Sequence, residues 1–137
     1  MNFVFNDGGR SAAGYLGSTR DCVVRSIAIV TGMPYKQVYD DINKLSKKMS
    51  DKNSSSRTGV MKKTYKTYLK NLGYVYTPTM GIGTGCKVHL KAEELPAGRL
   101  LVSVSKHLTA VINGVLHDTY DCTRNNTRCV YGYWKKG

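Results

Sequence analysis

Residues 107–118 read HLTAVINGVLHD, and this stretch decides the fold of the C-terminal half of the chain. Two apolar runs flank Asn113 and Gly114, and such a pair is the strongest short sequence signal of a two-residue β-hairpin turn. A two-residue turn also fixes which residues face each other, so Thr109 is expected opposite Asp118. The sequence therefore predicts two antiparallel strands in one defined register.

This register sorts the polar side chains of the hairpin onto two faces, because side chains alternate along each strand. His107, Thr109 and Asp118 are expected on one face, and His117 is expected on the other. His107 and Asp118 are then diagonal neighbours, about 5.5–8 Å apart at the backbone, which allows an imidazole–carboxylate hydrogen bond. Such a bond fixes the histidine tautomer and raises its basicity, and it leaves the second ring nitrogen for a nucleophile.

The rest of the C-terminal half has the pattern of short β-strands, whereas the N-terminal half has the pattern of helices. Strands are predicted over 99–104, 107–112, 115–120 and 129–134, with shorter runs near 3–5, 74–77 and 88–90. Helices are predicted over about 21–31, from Pro34 onward and over about 59–71, with a polar, mobile loop over 50–58. Helices packed on an antiparallel sheet indicate an α+β fold, and the 137 residues indicate a single domain over 1–137.

A cysteine opens the first predicted helix, in the string Asp21-Cys22 ahead of an apolar run. The positive end of the helix dipole and the unpaired N–H groups of the first turn both favour a thiolate at this position. The alternative is a small buried hydrophobic side chain, which is what most unpaired cysteines are. Together with the hairpin pair, the residues favour catalysis, with Cys22 as the nucleophile if its helix packs on the face that carries His107 and Asp118.

The composition sets limits on function. The chain has 21 Lys and Arg against 9 Asp and Glu, a formal net charge of +12, which predicts attraction to polyanions or acidic proteins. No apolar run is long enough to span a membrane, and the first residues lack the pattern of a signal peptide. A cytoplasmic location is expected, which would be the host cytoplasm for a phage-encoded chain.

Four cysteines are present, at positions 22, 86, 122 and 129. Without an export signal their thiols are expected to be reduced, although Cys122 and Cys129 flank a polar loop and could pair. No C-x-x-C pair occurs, and His107 and His117 are expected on opposite faces of the hairpin. Neither a metal site nor a cofactor is therefore predicted.

The third predicted helix carries a candidate binding surface, formed by Lys62, Lys63, Lys66 and Lys70 on one side. A solvated helix face explains these lysines, and so does a docking surface for nucleic acid, to which the ten tyrosines could add base stacking. The alternative function that follows is a non-enzymatic basic protein that docks on nucleic acid or on an acidic host protein.

The arrangement resembles the papain-like cysteine peptidase superfamily over residues 20–30 and 99–121. Asp21-Cys22 before an apolar helix is similar to the Asp-Cys of the bacterial cell-wall amidopeptidase branch. The block 107–118 is similar to the His–strand–turn–strand block of that branch and of the bacteriocin-leader peptidases. The chain also resembles small phage-encoded proteins with a comparable Asp-Cys-Val-Val-Arg opening.

The resemblance implies a papain-like fold and a cysteine peptidase or amide hydrolase that acts on a peptide or isopeptide bond through a thioester. Cys22 is then the nucleophile, His107 the general base and Asp118 the residue that orients the imidazole. Transfer of the acyl group to an acceptor other than water stays open. The basic composition favours an acidic peptide or protein substrate.

One feature of the family has no counterpart. Papain relatives complete the oxyanion hole with a glutamine ahead of the cysteine, and the matching position here holds Leu16. The backbone N–H of Cys22 can supply one donor. Ser18, Thr19 and Asn6 are the candidates for the second donor.

Overall fold

The computed structural model describes residues 1–17, 19–50, 52–81 and 83–137. Its helices are α1 (Cys22–Thr31), α2 (Tyr35–Lys48) and α3 (Lys62–Asn71), with a short 3-10 turn at Ala92–Glu94. Its strands are β1 (Asn2–Phe5), β2 (Tyr74–Pro78), β3 (Arg99–Val104), β4 (His107–Ile112), β5 (Val115–Asp118) and β6 (Val130–Lys136). The α+β class is confirmed, with α1, α2 and α3 in the N-terminal half as expected.

The strands form one sheet in the order β1-β5-β4-β3-β6-β2. The prediction of an antiparallel sheet was wrong for one pair, because β1 runs parallel to β5 and makes the sheet mixed. A parallel pair needs a long connection between its strands, and here the chain from α1 to β4 supplies it. The N-terminal strand therefore borders the strand that ends at Asp118.

The hairpin of β4 and β5 has the predicted turn and register. Asn113 and Gly114 both have positive φ, 48° and 78°, as a type I′ turn requires. Across the pair, Ala110 faces His117, as the two-residue turn implied. β5 ends at Asp118 and does not reach residue 120, so the predicted strand was too long at this end.

The two faces of the sheet have separate cores. One face packs on α1 and α2 through the strand residues Leu101, Leu108, Ala110 and Trp134. The other face is covered by the segments before β3 and after β5, and its strand residues include Leu100, Val102, Val111 and Leu116. Because side chains alternate, α1 lies on the face opposite to the one assigned to residues 109 and 118. The hypothesis that its helix shares their face was therefore wrong.

Two glycines help to set helix ends. Gly32 lies at the C-terminal end of α1, and Gly59 lies shortly before α3. Gly32 has a φ of 74°, and its N–H donates to the carbonyl of Ala28, which closes the last turn of α1. Gly59 has a φ of 127°, which is outside the helical region. The third helix therefore begins at Lys62 and not near residue 59 as predicted.

Residues 52–60 pack against α2, although the polar composition of 50–58 predicted a mobile loop; Asp51 of that prediction lies outside the described residues. Ser54 and Ser56 are buried. The Ser56 hydroxyl donates to the carbonyl of Tyr39, and the Ser56 N–H donates to Oδ1 of Asn43, both on α2. Short hydroxyl side chains can hydrogen-bond nearby backbone groups, so a serine-rich segment can pack against a helix.

Two of the four cysteines form a disulfide, contrary to the expectation of reduced thiols. Cys86 and Cys129 are bonded, with their Cα atoms 5.8 Å apart. The isolated β-bridge between His89 and Cys129 brings these two segments together, which the sequence did not indicate. Cys22 and Cys122 are free thiols. Among the described residues, no helix has the length and apolar character that crossing a membrane requires.

Candidate active site

Cys22 is the first residue of α1, and its side chain is half-buried. Asp21 precedes it but makes no side-chain capping bond to the helix. The Asp21 carboxylate instead accepts hydrogen bonds from Arg25 and from the hydroxyl of Tyr35. The first N–H groups of α1 are therefore not capped by Asp21, and Cys22 and Val23 line a surface groove.

His107 is the first residue of β4, directly after the tight turn from β3. Its Nε2 lies 2.8 Å from Oδ2 of Asp118, so the structure brings these two side chains together. The other ring nitrogen, Nδ1, is left for a nucleophile. The Cys22 thiol lies within hydrogen-bonding range of this imidazole, and the backbone N–H of Leu108 also reaches the sulfur.

α1 approaches His107 at the end of the β4–β5 pair. It does not pack on the sheet face that was assigned to Asp118. His107 begins β4 and Asp118 ends β5, so both lie at the same end of two antiparallel strands. The regular pairing of these strands runs from the turn only as far as Ala110 and His117. Beyond that point the first turn of α1 comes within reach, and Nη2 of Arg25 lies 3.1 Å from Oδ1 of Asp118.

Donors surround the carboxylate of Asp118, whose residue exposure is 2%. Oδ1 accepts hydrogen bonds from Arg25 at 3.1 Å and from the N–H of Thr119 at 2.7 Å. Oδ2 accepts from His107 at 2.8 Å and from the hydroxyl of Thr109 at 2.6 Å. These bonds hold the carboxylate ionised and fix its direction toward the imidazole.

Arg25 ties the start of α1 to the end of β5. Its guanidinium forms ion pairs with Asp21, one helical turn earlier, and with Asp118. Asp21 is fully buried and also accepts from Tyr35 at 2.7 Å, while Nε of Arg10 lies 3.7 Å away. The sequence analysis did not predict this network.

The sequence feature that could have indicated the network is a carboxylate and a guanidinium spaced i, i+4 at the start of an otherwise apolar helix, where each charged group needs a partner.

The charges around Cys22 favour its thiolate. Burial by itself raises the pKa of the thiol, because a charged sulfur loses hydration. The hydrogen bond and the charge of His107 outweigh this effect, with smaller contributions from the Leu108 N–H and from Arg25. The pKa of Cys22 is therefore held below its ordinary value of 9.0.

The same partners favour a protonated imidazole and an ionised carboxylate. Burial lowers the pKa of His107, but its hydrogen bonds to Asp118, Cys122 and Cys22 raise the pKa to about 12. Burial also opposes the ionisation of Asp118, yet the bonds from His107 and Thr109 hold its pKa at about 2. The site is thus arranged as a thiolate–imidazolium pair with an ionised carboxylate behind it.

A second thiol lies on the inner side of the His107 ring. Cys122 is 1% exposed, and its Sγ lies 3.7 Å from Oδ2 of Asp118. The ligand atoms of His107, Asp118 and Cys122 lie within 4.8 Å of one another, so these residues could hold a metal ion. Oδ2 of Asp118 already accepts from His107 and Thr109, and a cation would compete with both bonds.

Cys22 and His107 open onto a groove of about 480 Å³. Residues 58–62 and Tyr65 of α3 form part of its lining, and Tyr131 of β6 forms another part. A larger depression of about 640 Å³ beside α2 is lined by serine, lysine and asparagine, with no cysteine or histidine among its described residues. The smaller groove is therefore the one that exposes both Cys22 and His107.

The residues suggested by the sequence as second oxyanion donors are engaged elsewhere or are not described. The hydroxyl of Thr19 donates to the carbonyl of Arg57 at 3.0 Å. The side-chain amide of Asn6 contacts the ring of His117 at 3.4 Å, away from the groove. Ser18 lies outside the described residues.

Tyr65 is a donor that sequence reasoning did not consider. It lines the groove with Cys22, it is half-buried, and its hydroxyl makes no hydrogen bond to the described part of the chain. Burial, followed by the proximity of Tyr76 and Cys22, raises the pKa of Tyr65 to about 12, so the hydroxyl stays protonated at neutral pH.

The four lysines of the third helix do not act as one free surface. Lys62, Lys63 and Lys70 are exposed, and Lys62 also lines the groove. Lys66 is half-buried, and its Nζ lies 5.9 Å from the ring centre of Tyr76, a cation–π geometry.

The fold and the site together define an α+β protein with a Cys–His–Asp arrangement at the edge of an open groove. No family model, no curated protein and no solved structure matches the chain. The resemblance to papain-like peptidases therefore stays a prediction that rests on the residues themselves.

Proposed function

We propose that the protein is a cysteine-dependent hydrolase that cleaves a peptide or isopeptide amide through a thioester, with a papain-like arrangement of its site. One observation carries this proposal. The Cys22 thiol at an uncapped helix start lies within hydrogen-bonding range of His107, whose Nε2 is held by Asp118 at 2.8 Å. A nucleophile, a base and an orienting carboxylate in that order are the parts that acyl transfer needs.

In the first half of the reaction, the Cys22 thiolate attacks the amide carbonyl carbon and forms a carbon–sulfur bond. The carbonyl oxygen takes up the negative charge. As the tetrahedral intermediate collapses, the carbon–nitrogen bond breaks and Nδ1 of His107 gives its proton to the leaving amine. Asp118 stays ionised throughout and holds the imidazole in place.

We assign the oxyanion to two donors, the backbone N–H of Cys22 and the hydroxyl of Tyr65. The N–H lies at the positive end of α1, where its dipole favours a developing anion. The Tyr65 hydroxyl lines the same groove and keeps its proton, because its pKa is raised to about 12. Tyr65 thus replaces the glutamine that the sequence lacks at Leu16.

In the second half, Nδ1 of His107 takes a proton from a water molecule, which attacks the thioester. The carbon–sulfur bond breaks, and Cys22 leaves as a thiolate beside the imidazolium. An amine in place of water gives acyl transfer by the same steps, so the assignment covers both outcomes.

Alkylation rates test the nucleophile directly. With iodoacetamide at neutral pH, we expect Cys22 to react about 10²-fold faster than Cys122, because the pKa of Cys22 is lowered and its thiol opens onto the groove, whereas Cys122 is buried. A His107→Ala variant is expected to lower the Cys22 rate about tenfold or more, since the thiol loses its charge partner. The rates are measured by mass spectrometry of the two cysteine peptides.

His117→Ala is the matched control, because His117 belongs to the same hairpin but lies on the other face, and the pKa of its imidazole is lowered by burial and by Arg99. Incubation with p-nitrophenyl acetate adds a second readout, an acetyl group on the peptide that contains Cys22. Equal alkylation of the two free thiols, unchanged by His107→Ala, would contradict the proposal.

The exposed lysines of α3 favour a second candidate function, a basic protein that binds nucleic acid or an acidic host protein. Lys62, Lys63 and Lys70 face solvent on one helix of a chain with a net charge of +12. Retention on double-stranded DNA should then weaken steeply with salt and be lost when the lysines are changed to glutamine. Binding that ignores the salt concentration would exclude this function.

A further inference from the structure

The groove beside Cys22 has a mixed lining that differs from the average surface of the protein. Aliphatic side chains form its floor, among them Val23, Val60 and Leu108. Around this floor stand three cationic side chains, Arg20, Lys62 and Lys106. No carboxylate belongs to the lining among the described residues, so apart from the Cys22 thiolate the charged side chains of the lining are cations.

The three cations come from different elements and surround the nucleophile. Arg20 lies two positions before Cys22 in the chain, and Lys62 begins α3 on another wall. Lys106 occupies the tight turn directly before His107 and has a φ of 55°. All three are exposed, and none is in an ion pair with a described residue.

The backbone at Arg20 is bonded to the segment that forms a neighbouring wall of the groove. The N–H of Arg20 donates to the carbonyl of Arg57 at 2.8 Å, which joins the segment before Cys22 to the wall of residues 52–60. Arg57 itself lines an adjoining depression with Arg20 and adds a fourth positive charge at the end of the groove. Arg20 lines both depressions, so cationic side chains occur in each of them.

We infer that the substrate of this groove is an acidic peptide segment, with carboxylate side chains on both sides of the amide that Cys22 attacks. This inference rests on the proposed function. Cations of one sign in a cleft with apolar walls focus the field and raise the local concentration of anionic ligands by about 10–10³-fold. The carboxylates would pair with Arg20 on one side and with Lys62 or Lys106 on the other, while the peptide backbone lies over the aliphatic floor.

The chemistry of the thiol favours a peptide over a nucleic acid as the occupant. Attack by Cys22 needs an acyl carbon within bonding distance of the sulfur, and a phosphodiester backbone offers none. The aliphatic floor also suits a peptide. The two tyrosines of the described lining, Tyr65 and Tyr131, come from different elements and do not form a row of successive rings such as single-stranded nucleic acid uses. Nucleic acid is therefore an outcome of the test and not part of the proposal.

The test compares two alkylating reagents that differ in charge, iodoacetate and iodoacetamide. The ratio of their rate constants at Cys22 is measured for the native chain and for the triple variant Arg20→Gln, Lys62→Gln, Lys106→Gln. We expect the triple variant to lower the ratio about tenfold, with the iodoacetamide rate changed little. Lys63→Gln and Lys70→Gln are the matched controls, because both are exposed on α3 outside the groove, and they should leave the ratio unchanged.

A second arm uses peptide aldehydes, which form a reversible hemithioacetal with a nucleophilic cysteine. An acetylated Glu-Glu-Gly aldehyde should protect Cys22 from iodoacetamide about tenfold better than the Gln-Gln-Gly aldehyde, and the triple variant should remove this preference. High salt should weaken the preference as well.

The outcomes separate the two claims. If iodoacetamide selects Cys22 but the reagent ratio and the aldehyde preference do not respond to the triple variant, the acidic substrate is wrong and the nucleophile stands. If neither reagent distinguishes Cys22 from Cys122, the proposed function fails, and this inference fails with it. If a single-stranded oligonucleotide protects Cys22 better than the acidic aldehyde, the groove binds nucleic acid and the inference is overturned.

Discussion

The two sides of the His107 imidazole present the same chemical group in opposite environments. On the outer side, Cys22 lines the groove at the start of α1. On the inner side, Cys122 is 1% exposed and lies against Asp118, with its Sγ 3.7 Å from the carboxylate. Both thiols lie near the imidazole and raise its pKa, so proximity to a base does not by itself distinguish the two cysteines.

The difference lies in what else each thiol faces. Cys22 has the positive end of a helix, the N–H of Leu108 and the charge of Arg25 nearby, and these groups favour its thiolate. Cys122 is buried against the Asp118 carboxylate and does not line the groove. The ionised Asp118 on the inner side therefore favours the imidazolium, and the imidazolium in turn lowers the pKa of the accessible Cys22 thiol on the outer side.

The largest expected effect comes from neutralising the inner side. Asp118→Asn keeps the shape but removes the charge that holds His107 protonated and oriented, and we expect acetyl transfer from p-nitrophenyl acetate to Cys22 to slow by about 10³-fold or more. Stopped-flow release of p-nitrophenol measures this rate. Asp121→Asn is the control, because Asp121 is exposed and only caps the N–H of Thr123. A rate within threefold of the native chain would show that the carboxylate does not act through the imidazole.

The next effect is on stability. Arg25→Met removes the only described cation that bonds both buried carboxylates, Asp21 and Asp118. Breaking a buried charge network from one side costs about 3–5 kcal/mol in the free energy of unfolding. Urea unfolding followed by circular dichroism measures the change. Lys63→Met, on the exposed side of α3, should change the free energy of unfolding by less than about 0.5 kcal/mol. A similar small loss for Arg25→Met would mean that the network does not hold the helix to the sheet.

The sequence predicted much of the inner side because its geometry is local. The Asn113-Gly114 turn sets the register, and register with alternation brings His107 to Asp118. The packing of α1 is not determined by local sequence, because its apolar residues could pack on either face of the sheet. Alternation sorts the strand residues onto two faces but does not say on which face α1 packs, and the contact with Cys22 arises at the strand ends, where the regular β4–β5 pairing has stopped.

The parts of the site that the sequence did not predict share a physical reason. Arg25 and Tyr65 occupy helix positions whose spacing also fits a core stripe or a solvent face, and only tertiary packing decides between these environments. The Cys86–Cys129 disulfide likewise depends on a β-bridge between distant segments. The parallel pairing of β1 with β5 joins the two ends of the chain, which no local pattern encodes.

A smaller effect tests the outer side alone. Tyr65→Phe removes the hydroxyl from the groove and keeps the ring, so we expect acetyl transfer to slow by about 10²-fold, the usual cost of losing one oxyanion donor. The iodoacetamide rate should stay within threefold, because alkylation forms no oxyanion. Tyr131→Phe is the control, since Tyr131 lines the groove on another wall. If Tyr65→Phe slowed acetyl transfer and iodoacetamide alkylation equally, Tyr65 would act on the Cys22 thiolate and not on the oxyanion.

The smallest effect is expected from the inner thiol. Cys122→Ala leaves a small cavity, which costs about 1 kcal/mol of unfolding free energy, and it leaves the charges on the outer side in place. The pH profile of Cys22 alkylation should therefore be the same in the variant and the native chain. Because the pKa of Cys22 is lowered from 9.0, the thiolate is present above that lowered pKa, and the rate falls only as the pH drops through it. A profile that moves up by a full pH unit in Cys122→Ala would mean that the inner thiol, through its bond to His107, helps to set the charge of the outer one.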